Sequence, residues 1–457
     1  MSEDNKLASL YFEEFIKNYE GTISINPRLN LHEFNSISTD TRTIEKGNLF
    51  LALDGENFHG SAFIDIAIQK GASFFVSDNK AQAGNGILVK SSNKFLEDFA
   101  AFILEKSKDL KIFGITGTNG KTSTKDLLKL ILSKKFEVLA TKGNLNNLIG
   151  LPLTILNLKK TDKVLVLEMG TNSKGEIQRL ANIARPGFAT ITNIGKGHTE
   201  KLEDEKTVFE EKKNITKFFN QECVFAFNLD DYFLKNYFSE INCNKISFGI
   251  QANADVVAKN IADDFSRFNL CFLDQLVSVN LKAPGINNIY NSLCSASLAL
   301  KAGLELDTIR EGIEEFDGIS NRFKIIKLDN GNLIINDTYN ANPNSMLAAI
   351  EMTNKIFPGK KKIAILGDML ELGKISREEH VKIGDAIVRN NFEELYTLGK
   401  HSGDYREGID KKIKYVNIRN HQEIKDYINL SSLVNTVILV KGSRGMRMED
   451  IFDSLDI

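Results

Sequence analysis

The chain has 457 residues, of which 42% are hydrophobic and 26% charged, a balance typical of water-facing globular domains with length for several buried cores. A formal net charge of −2 gives no reason to expect nucleic acid or a membrane surface as partner, so any basic site must be local. No apolar run approaches the roughly 20 residues of a membrane span.

Met1–Lys6 is polar and lacks a leader pattern, and the four cysteines (Cys223, Cys243, Cys271 and Cys294) show no Cys-x-x-Cys spacing. A cytoplasmic protein with reduced, buried thiols is expected. Length alone suggests about three domains. The first, 1–110, alternates short strands and helices. Next comes Lys111–Ile115, which reads as the end of a buried strand, and Thr124–Lys134 follows with apolar residues at helical spacing. The second block, 111–317, continues with the apolar runs Val138–Ala140, Val164–Leu167, Ala189–Thr192 and Val224–Phe227, with helices between them. That alternation predicts a parallel α/β sheet. The third block, 318–457, carries Leu333–Asp337, Lys362–Leu366, Leu395–Leu398 and Val437–Val440, and reads as a smaller doubly wound, Rossmann-like domain.

Between the strand at 111–115 and the following helix lies Gly114-Ile115-Thr116-Gly117-Thr118-Asn119-Gly120-Lys121-Thr122-Ser123. Glycines let the backbone approach a polyphosphate, a helix N-terminus presents free N–H groups, and Lys121 adds a point charge. The Thr122 hydroxyl is placed to ligate the magnesium that travels with ATP. The order departs from a strict Gly-x4-Gly-Lys loop, because Ile115 stands where the first glycine would be. This segment predicts ATP binding.

Downstream, Asn144, Asn146 and Asn147 read equally as turn formers or as amides lining a substrate groove. Glu168 follows a strand, at the sheet edge where open α/β sheets bind ligands, and its oxygens suit a hard cation. His198 follows the next strand edge; a lone histidine is ordinarily a surface or core residue, but its position favours a site. Glu210–Lys213, on local sequence alone, is a solvated helix face.

These segments resemble, in order and spacing, those of the Mur ligases, the ATP-dependent amide-forming enzymes of peptidoglycan precursor synthesis. The similarity runs over almost the whole chain. Ser38-Thr39-Asp40-Thr41-Arg42 with Gly47–Leu53 resembles the family's uridine-nucleotide segment, which implies that Ser38, Asp40 and Arg42 bind substrate. Asp337-Thr338-Tyr339-Asn340-Ala341-Asn342-Pro343, Leu366–Gly373 and Val440–Gly445 favour the branch that adds a D-alanyl-D-alanine dipeptide. The chain departs from the family pattern at His59-Gly60-Ser61, Lys213-Asn214, Asn287-Asn288 and Asn321-Arg322.

The resemblance implies a three-domain α/β architecture: an N-terminal substrate domain, a central P-loop parallel sheet and a C-terminal Rossmann-like domain. It implies ATP-dependent joining of D-alanyl-D-alanine to UDP-N-acetylmuramoyl-tripeptide through an acyl phosphate, by a monomer. Lys121, Glu168, His198 and Lys212 would be catalytic. Gly117, Thr118, Asn119, Gly120, Thr122, Ser123, Asn288, Asn291, Arg322 and Asp337 would join Lys121 in holding ATP. Two magnesium ions are expected on Thr122, Glu168, His198 and Lys212, the last as a carbamylated lysine. Asn144, Asn146, Asn147, Tyr339, Asn340 and Asn342 would contact substrate, and the third domain would close over ATP. The rivals are a diamino-acid-adding ligase, a folylpolyglutamate synthase and a non-catalytic ATP-binding regulator.

Overall fold

The computed structural model describes residues 6–31, 34–55, 58–79, 86–196, 204–455 and 457. Three large sheets follow one another along the chain. The first has five strands in the order Thr22–Ile25, Gly86–Val89, Phe74–Ser77, Asn48–Leu51, Ser36–Ser38, all parallel except Thr22–Ile25. Alternate residues of Asn48–Leu51 feed two cores: Leu49 and Leu51 enter a large cluster, and Phe50 a small one with Ile64, Ala67 and Phe75. Helix Ser92–Glu105 starts where the Ser91 hydroxyl accepts from Lys94 N at 3.3 Å, and it buries Phe95, Leu96, Phe99 and Ile103 along one face.

That large cluster continues through Leu151, Ile155, Leu165, Leu167 and Phe225, so the first unit and one face of the central sheet share a core. The central sheet has nine strands, in the order Gln275–Asn280, Arg267–Phe272, Val256–Lys259, Asn244–Gly249, Val224–Asn228, Phe188–Ile191, Lys111–Thr116, Val164–Glu168, Val138–Ala140. Seven are parallel; five of them correspond to the predicted apolar runs, whereas Asn244–Gly249 and Val256–Lys259 lie outside those runs, as does the antiparallel hairpin Arg267–Phe272 and Gln275–Asn280 that extends the sheet. Phe268, Leu270 and Val279 are buried while Arg267, Gln275, Ser278 and Asn280 are exposed, so this edge has one face toward solvent. Helices Lys121–Leu132, Ile286–Lys301 and Leu306–Glu315 cover the second face.

The third sheet has six strands, in the order Lys324–Lys327, Leu333–Asp337, Thr436–Lys441, Lys361–Gly367, Glu394–Leu398, Lys414–Ile418, with only the first antiparallel. Separate apolar clusters lie on its two faces, as expected of a doubly wound sheet. Of the cysteines, Cys271 and Cys294 are buried, whereas Cys223 and Cys243 are partly exposed at strand starts, contrary to the expectation of buried thiols. Among the described residues, no helix is long and apolar enough to cross a membrane.

Candidate functional site

Strand Lys111–Thr116 runs into the glycine-rich turn, and helix Lys121–Leu132 leaves it. Gly117 and Gly120 have φ of 146° and 80°. A Cβ at Gly117 would lie 1.9 Å from Thr192 Oγ1, and one at Gly120 would lie 2.7 Å from Asn291 Oδ1, so both positions exclude a side chain. The turn is held from the neighbouring strand end: Asn193 O accepts from Thr118 N, and Asn193 Oδ1 accepts from Asn119 N, both at 3.0 Å. Thr192 Oγ1 donates to Asn119 O at 2.5 Å. Behind the helix start, Thr124 Oγ1 donates to Asn291 Oδ1 at 3.2 Å, and Asn291 Nδ2 donates to Asn288 Oδ1 at 3.3 Å.

Lys121 folds back over this turn, its ammonium donating to Gly117 O at 2.8 Å and Thr118 O at 3.0 Å. Burial pulls its pKa below the ordinary lysine value and Arg322 adds repulsion, against attraction from Glu168. Arg322 reaches across from the third unit, stacks 4.1 Å from the Tyr339 ring centroid and donates to Thr122 Oγ1 at 3.1 Å. Its Nε is buried without a hydrogen-bond partner among the described residues. Two cations that repel each other therefore converge with helix N-terminal N–H groups, an arrangement suited to a polyanion. Asn342, which caps helix Pro343–Ile356 through its Oδ1, makes a second bridge by donating from Nδ2 to Asn119 Oδ1 at 2.8 Å. Lys196 and Glu379 make a third at 2.9 Å.

Glu168 ends strand Val164–Glu168 and is buried. Its Oε1 accepts from Asn146 Nδ2 at 2.8 Å, while its Oε2 is buried with no hydrogen-bond partner among the described residues. A carboxylate oxygen left in that state is costly unless a cation reaches it. Lys212 ends helix Glu205–Lys212 and is also buried, with no hydrogen bond or ion pair from its ammonium among the described residues. Burial holds its pKa well below the lysine range, and Lys121 pushes it further down against the pull of Glu211. Glu211 is buried too, accepting from Gly175 N at 2.6 Å and Ile177 N at 2.8 Å, where it caps helix Glu176–Ala184. The solvated-face reading of Glu210–Lys213 is therefore overturned at Glu211 and Lys212: both are buried, Glu211 against the start of that helix.

These elements surround a cleft of about 1080 Å³ whose lining comes almost wholly from the second and third units, with Gly55 from the first. Family models match the chain in three consecutive stretches: Mur ligase family, catalytic domain, at 33–105; Mur ligase middle domain at 115–299; and Mur ligase, glutamate ligase domain, at 321–444. The UDP-N-acetylmuramoyl-tripeptide–D-alanyl-D-alanine ligase of Bacillus subtilis is 31% identical over 95% of this chain and 96% of its own. The chain belongs to the Mur ligase family.

Two solved structures are similar over nearly their full lengths. A MurF crystal structure from Acinetobacter baumannii has a TM-score of 0.85 at 29% identity, covering 94% of this chain and 95% of the other. MurF from Thermotoga maritima in complex with ADP has a TM-score of 0.82 at 28% identity, covering 92% and 97%.

In this Mur ligase, Thr118 to Ser123, Asn144, Asn146, Asn147, Glu168, Asn288, Asn291, Arg322, Asp337, Tyr339, Asn340 and Asn342 all line the one cleft. Gly117 lies beneath it at the strand end, and Lys212 stands behind the lining. The three asparagines after the loop divide: Asn146 orients Glu168, whereas Asn147 Oδ1 accepts from Ile149 N and Gly150 N as a turn former. Asn144 faces the cleft and makes no side-chain hydrogen bond among the described residues. Ser38, Asp40 and Arg42 lie outside the lining in a surface turn, where Asp40 accepts from Arg42 at 2.7 Å. The Arg42 guanidinium holds the Asp40 carboxyl down to about 2. His198 lies outside the described residues.

Sequence reasoning missed Thr192 and Asn193, which hold the loop, and Asp231, which accepts from Ile194 N at 2.7 Å and so fixes the same segment. It also gave no role to Lys441, a buried lysine that donates to Asp337 Oδ2 at 2.6 Å and to Asn340 O at 2.9 Å. A charged residue closing the otherwise apolar strand Thr436–Lys441 was the available signal. Because Asp337 is the only carboxylate that pairs with Lys441 among the described residues, Asp337→Ala should strand a buried ammonium. The expected loss is about 3 kcal/mol or more of unfolding free energy by denaturant titration, and Asp337→Ala with Lys441→Met should recover much of it.

Lys212 sets a pH dependence whose sign is definite. The unfolded chain keeps the lysine proton up to about 10.5, whereas the folded chain releases it at lower pH. Between those values the unfolded state binds more protons, so stability rises with pH across that window. Below it the full penalty of a buried ammonium applies. Lys212→Met should flatten this alkaline rise in melting temperature measured without nucleotide or added bicarbonate.

Proposed function

We propose that this Mur ligase uses ATP to join D-alanyl-D-alanine to UDP-N-acetylmuramoyl-tripeptide, giving the pentapeptide precursor of peptidoglycan. Relatives of that activity match the chain end to end, and one of them holds ADP in its solved structure. The observation that carries the reading here is the pairing of Lys121 with Arg322 over the helix N-terminus at Thr122. Units 1–110, 111–317 and 318–457 would divide the work, with the uridine nucleotide at Ser38, Asp40 and Arg42, ATP at the loop, and the dipeptide near Tyr339, Asn340 and Asn342. The protein would act in the cytoplasm as a monomer.

A free carboxylate does not form an amide at useful rate, because oxide is a very poor leaving group. Transfer of the γ-phosphoryl group to the tripeptide carboxylate gives an acyl phosphate, whose leaving group is phosphate. Such transfer asks the protein chiefly for positioning and charge neutralisation. Lys121, Arg322 and the loop N–H groups supply fixed positive charge for the γ-phosphate oxygens. The Arg322 and Asn342 bridges link the third unit to the loop, and closure of that unit over ATP would exclude water from a hydrolysable intermediate. The dipeptide amine then attacks the acyl carbon and phosphate leaves. An α-amine has an ordinary pKa near about 8, so a neutral fraction is already present at neutral pH.

Magnesium fits the residues present. The buried Glu168 Oε2, unpartnered among the described residues, and the Thr122 hydroxyl would hold it, and no second protein carboxylate is needed because ATP oxygens and water would complete a magnesium shell. Among the described residues there is no cluster of three His, Cys, Asp or Glu that could hold a metal unaided. Bound with ATP, the ion would neutralise β- and γ-phosphate charge. Lys212 fits carbamylation, since the reaction needs a neutral amine and burial favours that form. As a carbamate it would replace repulsion of Lys121 by attraction, and with His198 it would form the second magnesium position.

The test is phosphate release with ATP, UDP-N-acetylmuramoyl-tripeptide and a panel of dipeptides. Release that requires both acceptor and D-alanyl-D-alanine is expected. Release with UDP-N-acetylmuramoyl-dipeptide and a diamino acid, or with folate and glutamate, would replace the assignment by one of its rivals.

A further inference from the structure

Cys223 and Cys243 are distant in sequence and lack metal-binding spacing, yet the central sheet sets them side by side. Strands Val224–Asn228 and Asn244–Gly249 are parallel neighbours with Val224 opposite Asn244, and Asn244 N donates to Cys223 O at 2.9 Å. One register position earlier, Cys223 therefore faces Cys243. Parallel neighbours are about 4.8 Å apart, inside the Cα separations of about 4.4–6.8 Å that a disulfide spans.

Side-chain alternation puts both sulfurs on the same face. Val224, Ala226, Ile246 and Phe248 enter the core on one side of the sheet, whereas Phe225 and Phe227 enter the core on the other, against which Cys243 packs. Both thiols are partly exposed and unpaired, while Cys271 and Cys294 are buried. Burial raises the Cys243 pKa, Lys245 opposes that rise, and Cys223 is close enough to add to it. Cys223 lies at the surface turn, its thiol donating to Asn220 Oδ1 at 3.3 Å.

We propose that Cys223 and Cys243 form a dithiol site that reacts with low-molecular-weight disulfides to close an intramolecular disulfide. The Cys223 thiolate attacks one sulfur of the reagent, forming a mixed disulfide and expelling one thiolate. Cys243 gives its proton to solvent and attacks the Cys223 sulfur, expelling the second thiolate. Two protein thiols are oxidised and one small disulfide is reduced to two thiols. The segment enclosed carries Asp230 and Asp231, which line the cleft and whose carboxylates anchor Ile250, Ala252 and Ile194. Closure tethers that wall from the opposite sheet edge.

The test uses the full chain with oxidised glutathione under native conditions, followed by alkylation, intact mass measurement and peptide mapping. The expected result is loss of two hydrogens, a peptide linked through Cys223 and Cys243, and reversal by dithiothreitol. Cys271 and Cys294 should alkylate only after denaturation. Cys243→Ser should instead retain one glutathione on Cys223, because the resolving thiol is gone. Stable glutathione adducts on the wild-type pair, free thiols at both Cys223 and Cys243 after oxidation, or no adduct on Cys243→Ser would each overturn the proposal.

Discussion

Lys121→Ala is expected to lower turnover by at least about 10³-fold while leaving the fold intact. Charge neutralisation is the main demand of phosphoryl transfer, and Lys121 stands inside the loop with its ammonium on Gly117 O and Thr118 O. Arg322 does not replace it, because its guanidinium approaches from the Thr122 side. The same residue is a poor contributor to stability without nucleotide. Burial and Arg322 both disfavour its charged form, so its removal relieves a strain and the melting temperature should hold or rise. Phosphate release and a thermal melt on the same preparation measure both halves. Unchanged turnover at matched melting temperature would remove the loop from the chemistry.

Lys212→Ala is expected to be nearly inactive, and an added short-chain carboxylate should restore part of the activity. Burial disfavours the protonated form of the Lys212 amine, whereas its carbamate would supply an oxygen anion. Lys212→Met separates chemistry from packing: it keeps the volume and removes a costly amine, so it should melt no lower than the wild type and still be inactive. Rescue of Lys212→Ala but not of Lys121→Ala would tie the effect to a missing anion. Full activity of Lys212→Met would leave Lys212 a buried structural lysine with no part in the reaction.

Both predictions concern residues that a local reading treats very differently. Lys121 is legible because glycines, a hydroxyl run and an apolar strand surround it within a few positions, and each has a local conformational meaning. Lys212 is not, since Glu210-Glu211-Lys212-Lys213 is as polar as any solvent-facing turn of helix. Only its resemblance to a family pattern singled it out. Lys212 is nonetheless buried, and its neighbour Glu211 is turned inward to accept from Gly175 N and Ile177 N at the start of helix Glu176–Ala184.

Amino-acid order by itself determined the apolar strands of the second and third sheets, the loop between Lys111–Thr116 and Lys121–Leu132, and the placing of Glu168 at a strand end. These follow from periodicity and glycine position, which act over a few residues. Tertiary structure alone decided which polar groups meet. Asn146 reaches Glu168 while Asn147 accepts from Ile149 N and Gly150 N as a turn former, Lys441 pairs with Asp337, and Arg322 and Asn342 reach the loop from another unit. It also added the antiparallel hairpin of Arg267–Phe272 and Gln275–Asn280. Such pairings join positions far apart in the chain, and their register is set by which faces are buried against which neighbours, information that no local window of sequence contains.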